Sequence, residues 1–190
     1  MNDLDPARTA LLLMDVQNGI VGRHPDVAGF VAGLGRARAA ARDAGLTVGY
    51  VRVALTAEER SAAPAGSRFA SEQLDADGPA TQFHPALHPA EGEVVVRKKR
   101  FGAFSTTDLA EQLAARGIDT LVLAGVSTSG VVLSTVRDAT DRDYRLLVLE
   151  DGCWDADQQV HAVLTGKVFP RAGVTVTTID GFVEAVGLRP

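Results

Sequence analysis

Hydrophobic positions fall into short, nearly unbroken runs, separated by stretches in which they recur every three or four residues. Residues 9–15 read TALLLMD, too continuously apolar for a strand with one wet face, and similar runs occupy 46–53, 93–98, 120–124, 144–149 and 174–178. Six buried parallel strands are predicted. Between them, Val27, Phe30, Val31 and Leu34 keep helical spacing until Gly45 ends the element, and a second helix over 108–116 is opened by Thr106 or Thr107 and closed by Gly117. A third helix is predicted from Thr128 to about Ala139, a fourth over 157–168 with Pro170 as its stop, and a last one over 179–186. Strand and helix alternate from end to end, the pattern of an α/β fold with helices on both faces of one sheet.

Residues 55–92 break this rhythm. They are rich in Ala, Pro, Gly and Ser, with Pro64, Gly66, Pro79, Pro85 and Pro89 as punctuation, and read as a long insertion within a single domain spanning 1–190. Such a segment either shapes a pocket or is a plain surface excursion. Composition narrows the class: 24 acidic against 19 basic residues give a net charge of -5, so no overall field draws nucleic acid or anionic lipid. One cysteine, Cys153, excludes an internal disulfide and suits a reducing compartment. Residues 1–8 carry Asp3 and Asp5 where a signal peptide needs positive charge, and no apolar run is long enough to span a membrane; a cytoplasmic protein is expected.

In open parallel sheets the ligand crevice lies beyond the carboxyl ends of the strands, so the residues that end each run are the ones to inspect. Asp15 ends the first. A carboxylate delivered there is either a site residue, its pKa raised by burial unless a cation compensates, or a turn cap; the motif alone favours neither. The third run ends in Arg97, Lys98, Lys99 and Arg100, then Phe101-Gly-Ala-Phe104. Four cations are usually a solvated loop, yet strand alternation points some of them to opposite faces, and one over the strand ends would pair with Asp15. The fourth run enters Gly125-Val126-Ser127-Thr128-Ser129-Gly130, a small-residue turn whose amides suit an oxyanion or, equally, an ordinary helix cap.

Taken together, the stretches ALLLMDVQNGIV, VVVRKKRFGAFSTTDL, DTLVLAGVSTSGVVLSTVRDAT and YRLLVLEDGCWD resemble, in order and spacing, the isochorismatase-like (cysteine) hydrolase family over nearly the whole chain. The resemblance implies a three-layer α/β/α fold, Rossmann-like, with a six-stranded parallel sheet in the order 3-2-1-4-5-6. It also implies an Asp, Lys and Cys triad, of which Asp15 and Lys98 match the first two. The family's nucleophile position holds Val131, and valine has no lone pair to attack with. Cys153 lies in a segment the family does not use for attack and reads as a small buried hydrophobe. A nucleophile-free branch, the isochorismatases proper, splits a vinyl ether by protonation from the Asp and addition of water; it is similar here in Asp15, Gln17 and Lys98, with Arg100 as a carboxylate ligand. That branch carries an aromatic where Ser127 stands and a glycine where Val131 stands, so isochorismate itself does not carry over as the substrate. The resemblance further implies a cis peptide bond between Val126 and Ser127, substrate contacts from Gln17, Arg100, Val126, Ser127, Ser129 and Gly130, and assembly as a homo-oligomer, a dimer or tetramer.

His84 and His88 are four apart, but Pro85 and Pro89 argue against a helix that would aim both at a metal, and no nucleotide, flavin or nicotinamide fingerprint occurs; neither a metal nor a cofactor is expected. His161 reads as a packing residue, and Trp154 as a pocket wall or a subunit contact. Three functions compete. The first is a hydrolase of a small molecule with Asp15 as general acid or base, Lys98 as its electrostatic partner and 125–131 as the oxygen-binding turn. The second is a family member that binds a small molecule or protein without turnover. The third gives the attack to Ser129 or Ser134, of which Ser129 reads as an N-cap.

Overall fold

The computed structural model describes residues 4–187, so Asp3 of the acidic N-terminus lies outside it. Six parallel strands, β1 (Thr9–Met14), β2 (Thr47–Val53), β3 (Val94–Lys98), β4 (Thr120–Val126), β5 (Arg145–Trp154) and β6 (Thr175–Thr177), form one sheet in the order 3-2-1-4-5-6. Strand alternation sorts β1 into two cores. Leu11 and Leu13 join the helices Val27–Asp43 and Ile179–Gly187 on one face, while Ala10, Leu12 and Met14 join the helices Leu109–Ala114 and Leu133–Asp141 on the other. All six residues of β1 are buried, as a strand covered on both faces requires. Three helices end at a glycine with positive φ, namely Gly45, Gly117 and Gly173, and Asp143 does the same work at φ 63° after the helix Leu133–Asp141. At each end the following amide reaches back to the helix, as from Val174 to the Phe169 carbonyl at 3.1 Å.

Two elements differ from the expectation. The fifth strand runs on to Trp154 through Glu150 and Asp151, because a register shift between Leu123 and Gly125 lets β5 bulge outward and rejoin β4 at Cys153 and Trp154. Pro170 does not stop its helix. A π-helical stretch, Leu164–Val168, widens the ladder ahead of it, and Pro170 then falls in the first turn of Phe169–Arg171, where its missing N–H leaves no bond unmade. The insertion is built rather than loose. Pro79 and Pro85 each open a 3-10 turn, a capping box of Thr56 and Glu59 starts the helix Ala57–Ser61, and bridges Leu55–Asp75 and Gln17–Phe83 stitch the segment to the strand ends.

Candidate active site at the strand ends

Lys98 is the last residue of β3 and Asp15 follows β1, with β2 between them. Two strand spacings, roughly 10 Å, are bridged by the two side chains reaching over the end of β2. Lys98 Nζ lies 2.8 Å from Asp15 Oδ2 and also donates to the Arg100 carbonyl at 3.1 Å. The pair is sealed, with side chains 1% and 7% exposed. Asp15 sits at φ 56°, so the chain turns sharply where β1 delivers the carboxylate. Its Oδ1 is buried with no hydrogen-bond partner among the described residues. Burial pushes the Asp15 carboxyl up to about 6, overriding the lowering pull of the Lys98 charge and its hydrogen bond. The carboxyl is therefore poised between its two forms near neutral pH.

Beside the pair stands the small-residue turn. Gly125 has no substitute: a Cβ there would lie 2.2 Å from the Met14 carbonyl oxygen at the end of β1. The Val126–Ser127 peptide bond is cis. Next comes a π-helical turn, Thr128–Val132, and then the helix Leu133–Asp141. Ser129 is not an N-cap. Its amide and hydroxyl both donate to Asp155 Oδ2, at 2.8 and 2.6 Å, while the Gly130 and Val132 amides go to the Ser127 carbonyl. The Ser129 hydroxyl and the Ser129 and Gly130 amides are thus engaged within the protein. Burial raises the Asp155 carboxyl, but the Ser129 bonds and the Asp157 amide outweigh it and hold it below the usual carboxylate value. Asp155 is accordingly a poor base for Ser129, which removes the support for a serine nucleophile there. Ser134 lies beneath Gly102 on the following helix.

The other candidates divide. Gln17 is fully buried, its Nε2 donating to the Val53 and Thr81 carbonyls at 2.9 and 2.8 Å and its Oε1 accepting from the Val53 amide at 2.8 Å. The geometry gives it the task of clamping the insertion to β2 rather than facing a substrate. The Arg100 guanidinium lies over the Phe69 ring at 5.0 Å and donates to the Lys99 carbonyl at 2.7 Å, and it is the Arg100 backbone oxygen that touches the ion pair. Val126 is buried in the sheet, and Val131 is 2% exposed in the apolar cluster that holds Met14, Ala103 and Phe104. Cys153 is buried, its thiol pushed up to about 12 by burial, which fits an inert side chain. His161 is more than packing: its Nδ1 lies 2.8 Å from the buried Thr128 hydroxyl, so the helix Gln158–Val163 supports the turn from outside. Trp154 packs against His24, which stacks on Phe30. No group of His, Cys, Asp or Glu that would hold a metal occurs among the described residues, and no described helix is long and apolar enough to cross a membrane.

With this geometry in hand, comparison with known proteins is specific. A sequence model of the isochorismatase domain matches residues 9–180. The Escherichia coli O157:H7 isochorismatase family protein YecD is 34% identical over 90% of this chain and 93% of its own length. The maleamate amidohydrolase of Pseudomonas putida is 31% identical over 91% and 84%, and the ureidoacrylate amidohydrolase RutB of Methylobacterium radiotolerans 32% over 97% and 82%. Among solved structures, an isochorismatase family protein from Burkholderia thailandensis superposes with a TM-score of 0.87 at 29% identity, covering 98% of both chains.

Proposed function

The chain belongs to the isochorismatase family of hydrolases, and from that premise we propose that it hydrolyses a small anionic substrate without a cysteine nucleophile, using Asp15 as the proton donor and acceptor and Lys98 as its electrostatic partner. The observation that carries this is the buried Asp15 carboxyl: one oxygen on Lys98, the other without a partner, and a pKa near 6. Two relatives are named as amidohydrolases, but an acyl-enzyme route needs a lone pair at position 131, and Val131 has none. Acid-catalysed opening of a vinyl ether needs only what is present. Protonated Asp15 gives its proton to the double-bond carbon; water adds to the resulting cation and returns a proton to the Asp15 carboxylate; the hemiketal then separates into a carbonyl compound and an alcohol. Lys98 balances the carboxylate while it is ionised. With the Ser129, Gly130 and Val132 amides engaged, the remaining amides of the turn are the donors for a substrate oxygen. Arg100, the one cation of the 97–100 run without a carboxylate partner among the described residues, suits a substrate carboxylate.

The test is a panel of amides, nitriles and carboxylated vinyl ethers offered to the wild type and to Asp15→Asn. Turnover confined to vinyl ethers and lost in Asp15→Asn is expected. Amide turnover by the wild type would overturn the nucleophile-free reading. The absence of a nucleophile at Val131 also favours a rival, binding without turnover, in which nothing in the panel is consumed and Asp15→Asn changes only affinity.

A further inference from the structure

We propose that the short helix Arg68–Ser71 of the insertion is the specificity element of this site, holding Arg100 and Phe101 so that small, flat carboxylic acids are admitted. The inference rests on the reading above and deepens it. Phe101 is the only aromatic among the exposed large hydrophobic residues of the described chain, at 41% exposure. Its ring is not adrift. It lies against the small-residue turn, 3.7 Å from where a Cβ on Gly130 would stand, and meets Phe69 edge-on with centroids 5.2 Å apart. Arg68 covers it at 5.3 Å and is itself tethered to Glu72 at 2.6 Å. Phe69 in turn carries the Arg100 guanidinium over its ring. Four side chains, two from the insertion and two from the loop after Lys98, thus form one stack, joined to the ion pair through the Arg100 carbonyl.

The charges around this stack point to its ligand. Arg97 and Lys99 share Glu59, and Lys98 has Asp15, but among the described residues Arg100 has no carboxylate and donates to the Lys99 carbonyl. A guanidinium held over an aromatic ring keeps its remaining N–H donors free in their planar fork, the geometry that a carboxylate accepts. The exposed Phe101 ring alongside offers a planar apolar surface. Phe69 is accordingly a positioning residue that acts through Arg100 and Phe101, and the insertion becomes part of the site.

A thiol at position 131 reports on this without any turnover. In Val131→Cys with Cys153→Ala, alkylation by iodoacetate and by iodoacetamide is measured and the ratio of the two rates is taken, which cancels differences in thiol reactivity. Phe69→Ala should lower the iodoacetate-to-iodoacetamide ratio about 2- to 5-fold, the worth of an exposed cation–π contact. Arg100→Gln should lower it at least as far, whereas Phe69→Tyr should leave it unchanged. Circular dichroism and melting temperature confirm that each variant is folded. An unchanged ratio in Phe69→Ala or Arg100→Gln, an equal fall in Phe69→Tyr, or a reporter thiol unreactive in every folded variant would each overturn the proposal. Because alkylation needs no catalysis, an inactive substrate panel with the ratios as expected would count against the hydrolase reading alone, and the converse against the selecting helix alone.

Discussion

Replacing the Asp15–Lys98 pair, first singly and then together, tests whether this end of the sheet serves stability or chemistry. Asp15→Asn is the gentlest first change, since Asn tolerates φ 56° and keeps the side-chain shape. It leaves a nearly sealed ammonium without its countercharge, and removing one member of a buried pair costs about 3–5 kcal/mol. Lys98→Met strands the carboxylate instead and should cost a similar amount at pH 8. The double variant has no buried charge, so its stability should lie within about 1 kcal/mol of the wild type or above it. A rise in the Asp15 pKa from 3.8 to about 6 corresponds to about 3 kcal/mol. Its sign is set by linkage: the folded state binds the proton more tightly than the unfolded chain, so this contribution is most favourable below pH 3.8 and falls away as pH rises through 6. The cost of Lys98→Met should therefore shrink between pH 8 and pH 5, where Asp15 takes up a proton. Urea unfolding of the four proteins at both pH values gives the coupling energy. Single effects that simply add, with coupling under about 0.5 kcal/mol, would refute the shielded pair.

With an active substrate, kcat/KM should be level below about pH 6 and fall tenfold per unit above it as Asp15 loses its proton; Lys98→Met should move that limb upward, and a limb that stays in place would separate Asp15 from the proton transfer. In Val131→Cys, mass spectrometry after brief iodoacetamide treatment at pH 8 should find label at position 131 far ahead of Cys153, whose thiol near 12 leaves it about 10³-fold less ionised than an ordinary cysteine; equal labelling would mean that position 131 does not face the site. Asp143→Gly should raise stability by about 0.5 kcal/mol, relieving the left-handed φ at the end of the helix Leu133–Asp141 against the extra freedom glycine brings to the unfolded chain, and a lower melting temperature would contradict this. Light scattering at micromolar concentration should give a mass at least double the 19.9 kDa chain, and a monomer value would rule out the homo-oligomer.

How far the sequence could be read depended on where each apolar run was judged to end. Looking past the last apolar residue led to Asp15 and to the run of cations from Arg97 to Arg100, but within that run it was the family resemblance, not the pattern, that singled out Lys98. The same rule applied to β5 would have led to Asp155. It did not, because Glu150 and Asp151 look like the end of a run, whereas the backbone passes through them in a bulge and stops pairing only at Trp154. His161 was hidden for a different reason: its partner, Thr128, is 33 residues away, and nothing local marks a polar contact across two helices. Gln17 was singled out by the family resemblance, but a motif match does not tell whether a carboxamide faces a cavity or, as here, the backbone of Val53 and Thr81. Pro79 and Pro85 showed that the insertion is punctuated; that Phe69 lies against Phe101 depends on tertiary packing and has no local signature.

The protonation state of Asp15 bears on catalysis versus plain binding. A site built only to hold an anion is best served by free cations, yet here the most deeply buried cation, Lys98, is already neutralised by a carboxylate. An ionised Asp15 would repel an incoming acid and would also bear the cost of its own desolvation. Protonated, it does neither, and it turns the partnerless Oδ1 into a position that can hold the transferable hydrogen. A carboxyl near 6 alternates between these forms at little cost around neutral pH, which is what the proposed reaction asks of a group that must give up a proton and recover it in each turnover. The pair that supports the hydrolase reading is thus the feature hardest to account for in a binding protein.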